Sequence, residues 1–152
     1  MVEILTPEAI VPALRVTSKK QALQELAKKA AHLTGQHERA IFETLLERER
    51  LGTTGVGRGV AIPHGKLAGL PRVYGVFARL EKAIDFDAVD DRPVDLVFLL
   101  LAPEMAGADH LKALARVSRL LRDEALCEKL RGCDTAEGIY ALLNTREAAS
   151  AA

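Results

Sequence analysis

The sequence predicts a single α/β domain, a mixed β-sheet flanked by helices on both faces. Three observations carry this expectation. Residues 94–101 (VDLVFLLL) are short and almost wholly apolar, the pattern of a central strand covered on both sides. Helical periods of apolar residues lie both before and after that run. The C-terminal third is helical with no strands to match it, which separates the chain from a repeated βαβ series. The chain has 152 residues, a length that makes one domain with a sizeable core. The domain is expected over residues 1–147, with the small-residue tail 148–152 frayed.

The elements follow in order. Residues 10–16 read as a first strand, and Pro12 marks it as early or at a sheet edge. Ser18 can cap a helix, with Gln21 three residues on completing a capping box. Leu23, Leu26, Ala27, Ala30 and Ala31 form its apolar side, and Gly35 is a natural stop. A second helix is expected over 38–51, with Ile41, Phe42, Leu45 and Leu46 inward and Gly52 closing it. Residues 52–66 contain five glycines in fifteen positions and read as a long backbone-defined loop with a short strand at 60–62. Residues 73–80 read as a strand, and Asp90-Asp91-Arg92-Pro93 as a turn. Residues 108–121 form a strong amphipathic helix with Leu111, Leu114, Ala115, Val117, Leu120 and Leu121 inward. Two short helices are expected at 123–130 and 135–143.

Composition excludes several functions. Lys plus Arg equals Asp plus Glu at 21 each, so the net charge is zero. That speaks against a general nucleic-acid binder, which needs a basic footprint, and against a polybasic membrane-surface protein. Aromatic residues are 4% and Trp is absent, so a base-stacking platform is not expected. No apolar run approaches the length of a membrane span, and the first residues lack the pattern of a signal peptide. Cys127 and Cys133 stand in a C-x5-C spacing that fits neither a redox pair nor a zinc knuckle. Two reduced thiols in a cytoplasmic protein are the expectation.

The Gly-rich segment invites three readings. A P-loop fails, because five residues separate Gly59 from Gly65 and Leu67 follows Lys66 where a hydroxyl is needed. A dinucleotide fingerprint fails, because Pro63 and Gly65 prevent a helix from opening after Gly55-Val56-Gly57-Arg58-Gly59. The third reading is that the loop presents His64: Pro63 restrains the approach and Gly65 lets the chain turn just beyond. A plain surface-turn histidine remains the competing reading. The run Glu47-Arg48-Glu49-Arg50 leads into the loop and is either a solvated, self-paired face or the source of an arginine for the site. His110 lies in the first turn expected after Gly107, where free N–H groups favour an anion, or is a residue without a role. Taken together, an oriented imidazole, an arginine, Gly-rich amides and a helix N-terminus suggest handling of a phosphoryl group. A different reading is a binding module in which His64, His110, Asp109 and a cysteine hold a metal, although no ligand spacing supports it.

These residues carry a resemblance. The stretch LLERERLGTTGVGRGVAIPHGK (45–66) resembles the active-site region of the enzyme IIA proteins of the fructose/mannitol type in the bacterial phosphotransferase system, most of all the nitrogen-related regulatory members. AIDFDAVDDRPVDLVFLLLAPE (83–104), HLKALARVSRLLRDE (110–124) and TSKKQALQELA (17–27) resemble the same group, so the likeness spans nearly the whole chain. The resemblance implies that His64 is phosphorylated, on Nε2, by a histidine-phosphocarrier (HPr-like) protein charged from phosphoenolpyruvate through an enzyme I. It implies that His110 lines the site and that Arg48 contacts the phosphoryl group, with Gly57, Gly59, Gly65 and Thr53 as candidate phosphoryl-binding positions. No cofactor or metal is implied. Regulatory targets of the kind implied are potassium-transport or sensor-kinase proteins; the alternative is a free-standing sugar-specific IIA passing its phosphoryl group to a IIB component. Arg58 departs from the family, where a small polar residue such as Asn is common. It joins Arg48, Arg50 and Lys66 as positive charge expected in or beside the site.

Overall fold

Alternation along one strand organises the molecule. The structure is a computed structural model that describes residues 1–151, with the backbone alone for 150 and 151. Strand β6 (Val94–Pro103) is buried over most of its length. Its Val97, Leu99 and Leu101 enter one apolar cluster, while Leu96, Phe98 and Leu100 enter a second on the opposite face. Burial on both faces is why the run is apolar from Leu96 to Ala102 instead of alternating with polar residues.

The remaining elements are β1 (Ile10–Leu14), α1 (Lys19–Thr34), α2 (Glu38–Leu51), β2 (Gly55–Gly57), β3 (Val60–Ala61), β4 (His64–Leu67), β5 (Tyr74–Ile84), α3 (Ala108–Leu121), α4 (Glu124–Arg131) and α5 (Ala136–Ala151). The sheet has six strands in the order β1-β5-β6-β3-β2, with β4 also paired to β6. β5 runs antiparallel to β6, whereas β1 is parallel to β5 and β3 and β4 are parallel to β6. Pro12 sits in β1, an edge strand, where a missing N–H costs no ladder bond. α1 and α2 cover one face, and α3, α4 and α5 cover the other. Phe77 and Phe98 meet edge to face, 5.9 Å between centroids, inside the second cluster.

Local signals account for the helix ends. Ser18 Oγ accepts the Gln21 N–H at 3.1 Å, and Gln21 Oε1 accepts the Thr17 N–H at 2.8 Å, so the capping box closes one residue before the cap. Gly35 ends α1 in the left-handed conformation, φ 74°, which a side chain would resist.

Several expectations are corrected. Residues 52–66 are not one loop with a single short strand; they fold into β2, β3 and β4, with His64 opening the last. β1 ends at Leu14, not at 16, and β5 extends to Ile84. Leu111 and Ala115 were expected inward but lie exposed, because the buried stripe of α3 runs through His110, Ala113, Val117, Leu120 and Leu121. The last helix continues beyond 143 to Ala151, so residues 148–151 of the tail expected to fray over 148–152 are helical, and residue 152 lies outside the described residues. No helix among the described residues is long and apolar enough to cross a membrane.

Candidate functional site

The parallel pairing of β4 with β6 places His64. Its register partner is Leu100, and the Pro63 carbonyl accepts the Leu100 N–H at 2.9 Å, which anchors the strand immediately before the histidine. One step earlier, the Ile62 N–H donates to the Thr54 carbonyl at 2.9 Å. Ile62 also holds the ring: His64 Nδ1 lies 2.9 Å from the Ile62 carbonyl oxygen. A carbonyl only accepts, so Nδ1 carries the proton in this contact. On the other side of the ring, Arg48 Nε–H donates to Nε2 at 3.2 Å. Nε2 therefore presents a lone pair, and the two contacts together select one neutral tautomer.

Arg48 arrives from the last turn of α2. Its second contact, from a terminal guanidinium nitrogen to the Gly52 carbonyl at 2.8 Å, satisfies an acceptor at the helix exit and aims the side chain across the Gly-rich turn. Gly65 lets α2 come close: a Cβ there would meet Thr44 Cγ2 at 2.7 Å. His110 enters from the first turn of α3, its ring centroid 5.6 Å from that of His64 with the planes at 52°. It is 7% exposed and its Nδ1 has no hydrogen-bond partner among the described residues.

Both imidazoles are held below their ordinary basicity. Burial is the main cause at His64, and the nearby Arg48 charge adds to it; the Ile62 carbonyl and the Glu49 charge act in the opposite direction. At His110 burial again leads, followed by repulsion from a protonated His64 and from Lys66. Neutral rings at neutral pH follow, with the His64 lone pair available for attack on an electrophile.

The structure thus brings Arg48, His64, Gly65 and His110 together. Thr53 lies at the entry to the Gly-rich segment with its hydroxyl already engaged, donating to the Phe86 carbonyl at 2.8 Å and accepting the Gly55 N–H at 3.0 Å. Gly57 and Gly59 are not brought to His64. Gly59 accepts the N–H groups of Asp95 and Leu96 and lies against Arg131, while Gly57 packs on Asp90. From the Leu96 level of β6 to the Leu100 level of His64 is four residues, ~13 Å at the usual rise per residue. Both glycines take positive φ, 103° and 81°, so they shape the β2–β3 turn. Arg58, in that same turn, donates its backbone N–H to Asp90, and Arg50 lies on the exposed face of α2. Neither arginine is beside His64 as expected. Cys127 is buried with its thiol against the Leu121 carbonyl, and among the described residues no three His, Cys, Asp or Glu side chains gather as metal ligands.

Sequence reasoning missed Glu49. Its carboxylate is buried, 8% exposed, and receives the Thr54 N–H at 3.0 Å, the Thr54 hydroxyl, and Lys19 Nζ at 2.8 Å. The signal was present: Ile41, Leu45 and Glu49 fall at i, i+4 and i+8, so the charge lies on the buried stripe of α2.

Three apolar side chains stand exposed on the segments that carry site residues: Leu51 at the end of α2, Met105 in the turn before α3, and Leu111 beside His110.

Comparison with known proteins identifies the family. Residues 3–146 match the family described as the phosphoenolpyruvate-dependent sugar phosphotransferase system, EIIA 2. A nitrogen regulatory protein of Bradyrhizobium diazoefficiens is 67% identical over 141 residues, covering 93% of this chain and 92% of that one. A nitrogen regulatory protein of Escherichia coli is 39% identical over 145 residues, covering 95% and 89%. The crystal structure of the nitrogen regulatory protein IIA-Ntr from Neisseria meningitidis superposes with a TM-score of 0.88 at 38% identity, covering 93% of this chain and 97% of that one. The chain therefore belongs to the EIIA type 2 family of the phosphoenolpyruvate-dependent sugar phosphotransferase system.

Proposed function

We propose that this protein is a phosphoryl carrier that accepts a phosphoryl group on Nε2 of His64 from a cytoplasmic histidine-phosphocarrier protein, and whose phosphorylation state selects the proteins it regulates. The single observation that carries this reading is the pair of contacts on the His64 ring. Nδ1–H is tied to the Ile62 carbonyl, and the Nε2 lone pair faces the Arg48 guanidinium.

The chemistry follows from that geometry. Nε2 attacks the phosphorus of a donor phosphohistidine in line. The new N–P bond forms as the donor's N–P bond breaks, and the donor ring keeps the electron pair. The Nδ1 proton stays in place throughout, so no general base is required. Positive charge that develops on the His64 ring is offset by the Ile62 carbonyl and by the incoming phosphoryl group. Arg48 gives up Nε2 as the phosphorus arrives and turns its planar fork onto the phosphoryl oxygens, a bidentate contact that lysine does not reproduce. His110 supplies a further donor from its place in the first turn of α3, where the helix end favours negative charge. Positioning and electrostatics are what such a transfer asks of a protein.

The regulatory half of the reading is supported by the likeness to proteins named nitrogen regulatory protein over more than nine-tenths of this chain. Potassium-transport and sensor-kinase proteins are the targets proposed.

The test is intact-mass measurement after incubation with phosphoenolpyruvate, enzyme I and carrier. The wild-type protein gains one phosphoryl group and His64→Ala gains none. A His64→Ala protein that still gains one overturns the assignment. Phosphoryl transfer onward to a sugar-specific IIB component overturns the purely regulatory reading.

A further inference from the structure

A continuous series of hydrogen bonds leads from the buried end of α2 to the ring of His64. The Glu49 carboxylate holds Thr54 through both its N–H and its hydroxyl. The Thr54 carbonyl accepts the Ile62 N–H at 2.9 Å. The Ile62 carbonyl accepts the His64 Nδ1–H at 2.9 Å. We infer that Glu49 is a positioning residue for His64, fixing the tautomer and orientation of the imidazole through Thr54 and Ile62. The inference rests on the proposed role of His64 as phosphoryl acceptor and adds the device that keeps its Nε2 lone pair outward.

The physical case begins with the cost of this carboxylate. A buried anion is strongly unfavourable unless paired and hydrogen-bonded, and an apolar residue would fill the same place on the Ile41–Leu45 stripe at no such cost. Glu49 meets the requirement fully: Lys19 neutralises it at 2.8 Å, and Thr54 supplies two donors. Lys19 itself bridges to Asp87 and lies 4.9 Å from the Phe86 ring. The pairing thereby joins α1, the end of α2, the 85–88 segment and the entry of the Gly-rich segment at one point.

The arrangement also places the two functional contacts of His64 on one rigid base. Arg48 and Glu49 are adjacent in α2. One side chain reaches Nε2 directly, and the other reaches Nδ1 through two backbone groups. A shift of Thr54 moves Ile62, and with it the only acceptor that holds the Nδ1 proton among the described contacts. Without that acceptor the proton is free to occupy Nε2, which removes the nucleophilic lone pair. The negative charge of Glu49 also raises the affinity of His64 for a proton, against the effects of burial and Arg48. His110 of α3 also faces His64, and Lys66 of β4 acts on His110.

The experiment compares wild-type protein with Glu49→Gln and Thr54→Val, using nitrogen NMR of histidine-labelled, unphosphorylated protein across pH and then the rate of phosphorylation by the carrier. In the wild type the neutral His64 ring is the Nδ1–H tautomer, with a slowly exchanging proton. In Glu49→Gln the ring becomes a mixture of tautomers and its pKa falls further. The phosphorylation rate drops by about 10- to 100-fold, the scale expected for a misplacement near 1 Å. Thr54→Val, which keeps the N–H but removes the hydroxyl, shows the same changes in smaller degree and decides the question if Glu49→Gln does not fold. A folded variant with wild-type tautomer, pKa and rate overturns the inference. Because the tautomer is read before any phosphoryl group is present, a wild-type protein that the carrier does not phosphorylate counts against the proposed function and not against the positioning role.

Discussion

Gly65 offers a quantitative test of how closely α2 must approach the strand that bears His64. In Gly65→Ala the new Cβ lies 2.7 Å from Thr44 Cγ2. Carbon atoms rest at ~3.5–4.0 Å, so either Thr44 turns about χ1 or helix and strand separate by ~0.8 Å or more; the phosphorylation rate tells the two apart, since only separation moves Arg48. Overpacking of this kind costs about 1–3 kcal/mol, against about 0.4–1 kcal/mol gained from a stiffer unfolded chain. The net loss of about 0–2.6 kcal/mol lowers Tm by up to ~10 °C in a domain of this size. Arg48 is one helical turn beyond Thr44, so the same displacement stretches its 3.2 Å contact to His64. A separation approaching 1 Å is expected to slow phosphorylation by about 100-fold. Thr44→Ala supplies the control. With Cγ2 gone, the nearest atoms to the new methyl are Thr44 Cβ at 3.8 Å and Leu45 Cδ2 at 3.9 Å, both ordinary contacts. The double variant is therefore expected to regain the Tm and phosphorylation rate of Thr44→Ala alone. Thermal unfolding and carrier-dependent phosphorylation of the four proteins complete the cycle. A Gly65→Ala protein with unchanged rate, or a double variant no better than Gly65→Ala, refutes the argument.

Two further outcomes are expected. Because burial holds His64 and His110 below their ordinary value near 6.5, the unfolded chain takes up protons first as pH falls. Stability is full above about pH 6.5 and declines as pH falls through the folded values; Tm measured between about pH 8 and 5 shows this slope, and His64→Gln with His110→Gln flattens it. Glu3 and Glu147, held below the usual carboxylate range, add a loss only at lower pH. Arg58 takes φ 57° in the β2–β3 turn without a side-chain partner among the described contacts. Arg58→Gly is expected to raise stability by up to ~1 kcal/mol, read as Tm, and to leave the phosphorylation rate unchanged.

The site was legible wherever its information is local. Pro63-His64-Gly65 announces an oriented histidine through the backbone preferences of its neighbours, and Arg48 and His110 stand at predicted helix ends. β6 was legible for a similar reason, since an apolar run with charges only at its borders has few other places to go. What escaped depends on pairing between distant segments. Within residues 52–66 only the strand at 60–62 is legible, because two- to four-residue strands carry little usable period; β2 and β4 become strands only by pairing with β3 and β6. The same pairing moves Gly57, Gly59 and Arg58 away from His64, although they stand five to seven residues from it in the chain. Leu111 misled by composition. A leucine beside His110 in an amphipathic helix looks internal, but the phase of the helix is set by His110, Ala113 and Val117. Glu49 was hidden by its neighbours, because a carboxylate inside an alternating charge run reads as solvated until its place on the Ile41–Leu45 stripe is counted.

The central claim is that Nε2 of His64 bears the phosphoryl group while Nδ1 keeps its proton on the Ile62 carbonyl. Nitrogen and phosphorus NMR of the histidine-labelled, carrier-phosphorylated protein tests it most directly. The account requires a nitrogen–phosphorus coupling at Nε2 of His64 and a retained Nδ1–H. A coupling at Nδ1, or at His110, contradicts it.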